Sequence, residues 1–249
     1  MPLTLRLPRL AAPSSGRCYQ AARRVRFGDV LPSGEVRLDS VVRYLQDVAT
    51  DDGLDAVMEP ELGWVTRKTV LDIRRRPRTG QQLHLATWAS GVGSRWAERR
   101  TTITVKGETA VEAAALWVCV DMATMRPAKL SPRFWHVYGE AIGDRRVPGR
   151  LVHAAPAPGL VQGARRWPLR ISDFDIFDHV NNAATWMPIE DELLRVGGNG
   201  SIRWIELEYR LPIDRGEAVG LVSQVDASAA RVWLISEGAV LSSALAARL

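Results

Sequence analysis

Lysine and cysteine are scarce in this chain, and long apolar runs are missing. Only Lys68, Lys106 and Lys129 stand among the 33 basic residues, so the positive charge is carried by arginine, the better bidentate partner for phosphate and carboxylate. The two cysteines, Cys18 and Cys119, lie far apart. Neither a disulfide framework nor a thiolate metal site can be built from them, and a reducing, cytoplasmic setting is expected. No stretch approaches the roughly 18 to 20 apolar residues that a membrane helix needs, so no membrane partner is expected. A Gly-x-Ser-x-Gly elbow does not occur, which argues against a serine α/β-hydrolase. The glycine clusters at 91–93 and 197–200 lack a Walker lysine and a Rossmann frame and read as turns. His84, His136 and His153 stand alone in strand or loop contexts and read as structural, so no metal is expected.

What the chain does have is ordinary globular composition: 46% hydrophobic and 24% charged in 249 residues, enough for one large domain or two small ones. The net charge of +5 favours anionic partners. Nucleic acid, an acidic carrier protein and the phosphates of a coenzyme A thioester all fit that description, and charge alone does not choose among them. Residues 1–28 contain six Arg and no acid, the composition of a transit leader, but they lack the apolar core of a secretion signal. Arg23 to Phe27 read as the first strand, and the residues before them as a frayed N-terminus.

Leu38, Val41, Val42, Leu45 and Val48 recur at helical spacing, and Gly53 lies where that helix would stop. Extended segments follow at Trp64–Arg74, Gln82–Ala89, Arg95–Val105 and Ala110–Asp121, broken by turn signals at 77–80, 91–93 and 106–107. One helix followed by antiparallel strands is an α+β plan. The stretch 139–165 is rich in Gly, Pro, Ala and Arg and reads as a linker. The order then restarts, with a strand near Trp167–Ile171, a loop, a helix over Ala183–Arg195, and strands near 202–210, 218–225, 232–236 and 240–246. Pro188, inside that helix, is expected to kink it or tighten a turn. Laying Phe27–Asp47 on Ile171–Asp191 without a gap matches Asp29 with Asp173, Val36 with Val180 and Asp47 with Asp191. RRRPRTG at 74–80 is echoed by YRLPIDRG at 209–216, so the plan reads as a tandem repeat.

The most chemically loaded segment is ISDFDIFDHVNNA at 171–183, which places four polar residue types directly before a helix. Free N–H groups there attract negative charge, so an oxyanion could be held while a nearby carboxylate or imidazole handles water or its proton. Helix capping alone also explains Asp, Asn and His in such a place. Around this loop the chain resembles the acyl-acyl carrier protein thioesterases of the tandem hotdog type, the plant fatty-acyl enzymes and their bacterial relatives. VRLDSVVRYLQDVATDDG resembles that family's first hotdog helix, and the strands from Trp64 to Arg100 its long strands with a Pro-x-x-Gly turn. SDFDIFDHVNNAATWMPIEDELL resembles its acidic loop, His-Val-Asn-Asn element and following helix, and IELEYRLP its next strand.

The resemblance implies a first hotdog over 1–140, a linker over 141–165 and a second hotdog over 166–249 that carries the catalytic loop. It implies hydrolysis of a fatty-acyl thioester to free acid and thiol, on acyl carrier protein or coenzyme A, without cofactor, metal or nucleic acid. Carried over residue by residue, the catalytic carboxylate is Asp175 and the histidine His179, and N–H groups of Val180, Asn181 and Asn182 are expected to hold the substrate's oxyanion. Two family positions depart: the catalytic asparagine falls on Phe177, and a glutamate falls near Pro212. The first-half positions matching Asp175 and His179 are Leu31 and Glu35, so a single site is expected, with the first half shaping an apolar slot for the acyl chain. A hotdog that binds acyl thioesters or a carrier without turning them over remains the alternative. The tandem arrangement leaves monomer and homodimer both open.

Overall fold

The computed structural model describes residues 7–197 and 202–247; the glycines at 198 and 200, read as part of a turn, lie outside them. Ten strands form one antiparallel sheet. In the first half these are β1 (Tyr19–Arg24), β2 (Leu62–Ile73), β3 (Gln82–Val92), β4 (Trp96–Val105) and β5 (Glu108–Asp121). In the second they are β6 (Arg165–Trp167), β7 (Trp204–Tyr209), β8 (Val219–Val225), β9 (Ala229–Ser236) and β10 (Ala239–Ala247). The order is β1-β3-β4-β5-β2-β7-β10-β9-β8-β6. Read outward from the centre, the halves repeat each other strand for strand, and β2 meets β7 in antiparallel register with Val70 opposite Glu206.

Helix α1 (Leu38–Asp55) and helix α4 (Trp186–Gly197) lie on the inner face of this sheet. The helical spacing seen in the sequence is what buries Leu38, Val41, Leu45 and Val48 of α1, together with Trp186, Ile189 and Leu193 of α4, against Leu71, Ile205 and Leu207. Each such fully buried aliphatic side chain contributes about 1.5–3 kcal/mol. Each half is therefore one helix wrapped by five strands, as the α+β expectation requires.

Several local expectations are corrected. The first strand is Tyr19–Arg24, and Phe27–Asp29 form a single 3-10 turn instead of extending it, because Asp29 reaches back to the Arg26 N–H. The described N-terminal residues are fastened: Pro8 C=O accepts from Arg100, and Arg17 binds both Asp52 and Asp55. Helix α4 starts at Trp186, three residues later than expected, so Pro188 falls in its first turn, where no intrahelical N–H bond is lost; the turn before it is tightened, with Trp186 N–H on Ala183 O and Met187 N–H on Ala184 O, as one of the two expectations for Pro188 had it. A helix the periodicity missed, α2 (Pro132–Ile142), occupies the start of the glycine-rich stretch. Its signal was present: Ser131 accepts the Phe134 N–H at 3.0 Å, and Pro132 opens the first turn. A four-residue helix, α3 (Pro158–Val161), lies within the linker.

The linker crosses the outer face of the sheet. Trp96 Nε1 donates to Val147 O and Trp233 Nε1 to Ala154 O, both at 2.9 Å. Between them His153 is nearly buried against Ser243, and its backbone N–H reaches Glu208.

Candidate functional site

The 171–182 loop is a small hairpin. Phe174 pairs with Val180, Asp175 N–H donates to His179 O at 2.9 Å, and Asp178 takes a left-handed φ of 60° at the tip. The first half builds the same object. There Val30 pairs with Val36, Leu31 N–H donates to Glu35 O at 2.8 Å, and Gly34 holds the left-handed tip at φ 77°. Arg37 N–H and Asn181 N–H donate to the backbone of Asp29 and Asp173, and Val36 N–H and Val180 N–H to Pro77 and Ile213. The gap-free match of 27–47 with 171–191 is thus reproduced bond by bond.

This geometry corrects the expected oxyanion donors. The N–H groups of Val180 and Asn181 are already spent on the carbonyls of Ile213 and Asp173, at 2.9 and 2.8 Å, and a backbone N–H carries a single proton. Among the described residues no acceptor holds the Asn182 N–H. At the matching first-half position, Leu38 N–H donates at 2.8 Å to the carboxylate of Glu190, which reaches across from α4 and is also bonded to Arg76. Burial pushes the Glu190 carboxyl above its ordinary range even with Arg76 beside it.

Asp175 is half-buried, and its Oδ1 accepts the Phe177 N–H at 2.9 Å in an Asx turn, while no hydrogen-bond donor among the described residues meets Oδ2. His179 does not pair with Asp175: its Nε2 stands 3.2 Å from Asp214 Oδ1. Asp214 was missed in the sequence, yet it lies two residues beyond Pro212, close to where the family glutamate was expected. Arg215 beside it binds Asp178 and holds that carboxyl below its ordinary range. Phe177, at the missing asparagine's position, is 53% exposed, and Ile176 beside it 93%.

The site draws on both halves. Asn182 Nδ2 donates to Thr66 Oγ1 on β2 at 3.2 Å, and Asn182 O accepts from Tyr209 Oη at 3.2 Å. Trp186 Nε1 donates to the same tyrosine oxygen at 2.7 Å, and burial pushes the Tyr209 hydroxyl well above its ordinary range. Two residues before Thr66 on the same face of β2, Trp64 enters the wall of a cavity of about 250 Å3 within the first half. That cavity lies between the C-terminal end of α1, the inner faces of β2 to β5, and α2.

On the outer face His153, Glu206 and Glu208 bring possible ligand atoms within 4.8 Å of one another. Lys68 already stands 3.7 Å from Glu206, and Arg210 binds Glu208 at 2.8 Å, so a metal ion would have to displace two cations. The cluster fastens the linker to β7. No described helix is long and apolar enough to cross a membrane.

Comparison with known proteins agrees with this construction. Residues 16–138 match the model of the acyl-ACP thioesterase N-terminal domain, and residues 161–238 that of the C-terminal domain. An uncharacterised protein of Mycobacterium tuberculosis is 27% identical over 239 residues, 95% of this chain and 94% of that one. Two solved structures share the fold at 17% identity. An acyl-ACP thioesterase from Bacteroides thetaiotaomicron has a TM-score of 0.77 over 92% of this chain and 97% of its own. The 12:0-ACP thioesterase from Umbellularia californica has 0.76 over 92% and 96%. The ten strands and two long helices are therefore a tandem hotdog, and with both of its domain models matched in order, the chain belongs to the acyl-ACP thioesterase family.

Proposed function

We propose that the protein hydrolyses fatty-acyl thioesters, carried on acyl carrier protein or on coenzyme A, in a single site at the second-half hairpin. The observation that carries this reading is the contrast between two equivalent N–H groups. Leu38 N–H is closed by an internal carboxylate, whereas no acceptor among the described residues holds Asn182 N–H, and Asp175 of the same hairpin keeps one carboxylate oxygen without a hydrogen-bond donor among them. The thioester carbonyl would lie on Asn182 N–H, where developing negative charge meets a fixed donor near a helix start. Asp175 Oδ2 takes a proton from a water whose oxygen attacks the carbonyl, or attacks the carbonyl itself to give an acyl anhydride that water then hydrolyses. A C–O bond forms and the C–S bond breaks; the departing thiolate takes its proton from His179, which Asp214 orients, and the proton released by the water restores His179 through solvent. Thr66 and Tyr209 hold Asn182 in place from the two sides, so the first half contributes to the site as well as to the acyl slot.

All of these parts come from one chain, so the site is complete in a monomer and a homodimer is not required for it. Two free cysteines suit a reducing cytoplasm, and a basic surface suits an acidic carrier protein.

The test is thiol release from acyl-carrier and acyl-CoA thioesters. Asp175→Asn should lower the rate at least about 100-fold. It should leave the fold intact, because the amide oxygen still accepts the Phe177 N–H. An unchanged rate removes the mechanism. Exposed Phe177 in place of asparagine favours the second reading, a hotdog that binds acyl thioesters without hydrolysis, and tight binding with no thiol release would establish it.

A further inference from the structure

The first-half cavity has a lining of mixed polarity. Leu62, Trp64, Ala97 and Phe134 supply apolar wall, but Arg99, Tyr138 and Trp117 line it too. Behind them Asp52 is buried with both oxygens engaged. Oδ1 accepts from Arg17 Nε at 2.6 Å, and Oδ2 accepts from Tyr138 Oη at 2.9 Å and forms an ion pair with Arg99 Nη1 at 2.7 Å.

Two donors of this lining lack a close acceptor. A guanidinium offers five N–H groups. Arg99 places Nη1 on Asp52 and Thr87, and Nη2 makes only a long 3.4 Å contact with Tyr138 Oη. Trp117, whose indole can only donate, buries Nε1 with no acceptor among the described residues. The guanidinium that lines the cavity, however, is already paired: Arg99 faces Asp52. A carboxylate guest would bring one charge too many into a buried place, and an unbroken methylene chain would leave the donors dry. A ketone oxygen offers two lone pairs and no proton of its own. A hydroxyl accepts equally well but must also place its hydrogen.

We propose that this cavity receives an acyl chain bearing a neutral oxygen acceptor, an oxo group in preference to a hydroxyl, and not a plain saturated chain. This rests on the thioesterase reading for how the chain arrives: β2 leads from Leu62 and Trp64 in the cavity to Thr66, which holds Asn182.

Two measurements separate the two ideas. Calorimetric titration of the purified protein with free fatty acids of one length compares plain, hydroxy and oxo acids, the oxo position being walked along the chain. One oxo position should bind about tenfold more tightly than the plain acid, the worth of one hydrogen bond to an otherwise dry donor, with the hydroxy acid between. Trp117→Phe should shrink that ratio toward one. The ratio in the unaltered protein stands even if the variant fails to fold. Equal or weaker binding at every oxo position, or no binding of any oxo acid, overturns the proposal. Thiol release from the matching thioesters then reports on the reaction. Equal release from plain and oxo substrates overturns the preference and keeps the hydrolase; selective oxo-acid binding without release keeps the preference and removes the hydrolase.

Discussion

Glu190 of the second-half helix closes the Leu38 N–H of the first at 2.8 Å, and Arg76 closes Glu190 in turn. A buried ion pair of this kind is costly to break on one side, because the other charge is left without a partner. Glu190→Ala should therefore lower stability by about 3–5 kcal/mol in denaturant unfolding. It should create no second active site, since the first-half hairpin carries Leu31 where the second carries Asp175.

Gln46 is the counterpart of Glu190 in the repeat, on α1 where Glu190 is on α4, and no side-chain hydrogen bond engages it among the described residues. By the pseudo-symmetry of the two halves, a carboxyl at this position is expected to reach the start of the second-half hairpin helix as Glu190 reaches the first. Gln46→Glu should then place a carboxyl at the Asn182 N–H and compete with the substrate carbonyl. Thiol release should fall at least about tenfold, the range of a lost oxyanion donor or less. Gln46→Ala, which brings no acceptor, should change the rate far less; equal losses in both variants would argue against Asn182 as the donor.

The repeat was legible in the sequence because its markers are local. Asp29 and Asp173 both cap a 3-10 turn, and Val36 and Val180 both close a hairpin, so three identities together with the echo of RRRPRTG in YRLPIDRG gave the alignment that the backbone bonds of the hairpin reproduce. The strands were legible through β-branched runs and turns. What stayed hidden depends on tertiary contacts. Sequence spacing does not say that Asp214 lies against His179, that Glu190 crosses to Leu38, or that the Val180 and Asn181 N–H groups are used up by Ile213 and Asp173. Only the last turn of helix α2 lies in the linker-like stretch from 139, and Ser131-Pro132 announced its start.

Glu192 ties α4 to the sheet edge by accepting from Arg195, Arg165 and the Ser223 hydroxyl. These bonds, the one from Arg195 first, pull its carboxyl from its ordinary 4.5 to about 2. Between those two values the unfolded chain takes up a proton that the folded chain does not, so this contribution to stability is present above about pH 4.5 and is lost as the pH falls through about 2. Glu192→Gln should flatten the acid limb of a stability-against-pH curve and lower the neutral plateau. An unchanged acid limb would assign the loss to other carboxylates.

Asp214 gives the sharpest test of how the histidine works. Its carboxylate stands 3.2 Å from His179 Nε2, both groups are partly exposed, and nothing else in the hairpin fixes the imidazole. Asp214→Asn keeps the shape but exchanges a full negative charge for a neutral amide, so the imidazolium formed during proton transfer is less well supported. If His179 carries the proton to the departing thiolate, kcat should fall about 10- to 100-fold with KM little changed, and the loss should be smaller for an acyl thioester with a more acidic thiol, which leaves with less need of a proton. Stability should move by no more than about 1 kcal/mol, as for an exposed ion pair. A rise in KM with kcat preserved would instead place His179 and Asp214 in substrate binding, and Asp175 would then have to complete the proton transfer with solvent alone.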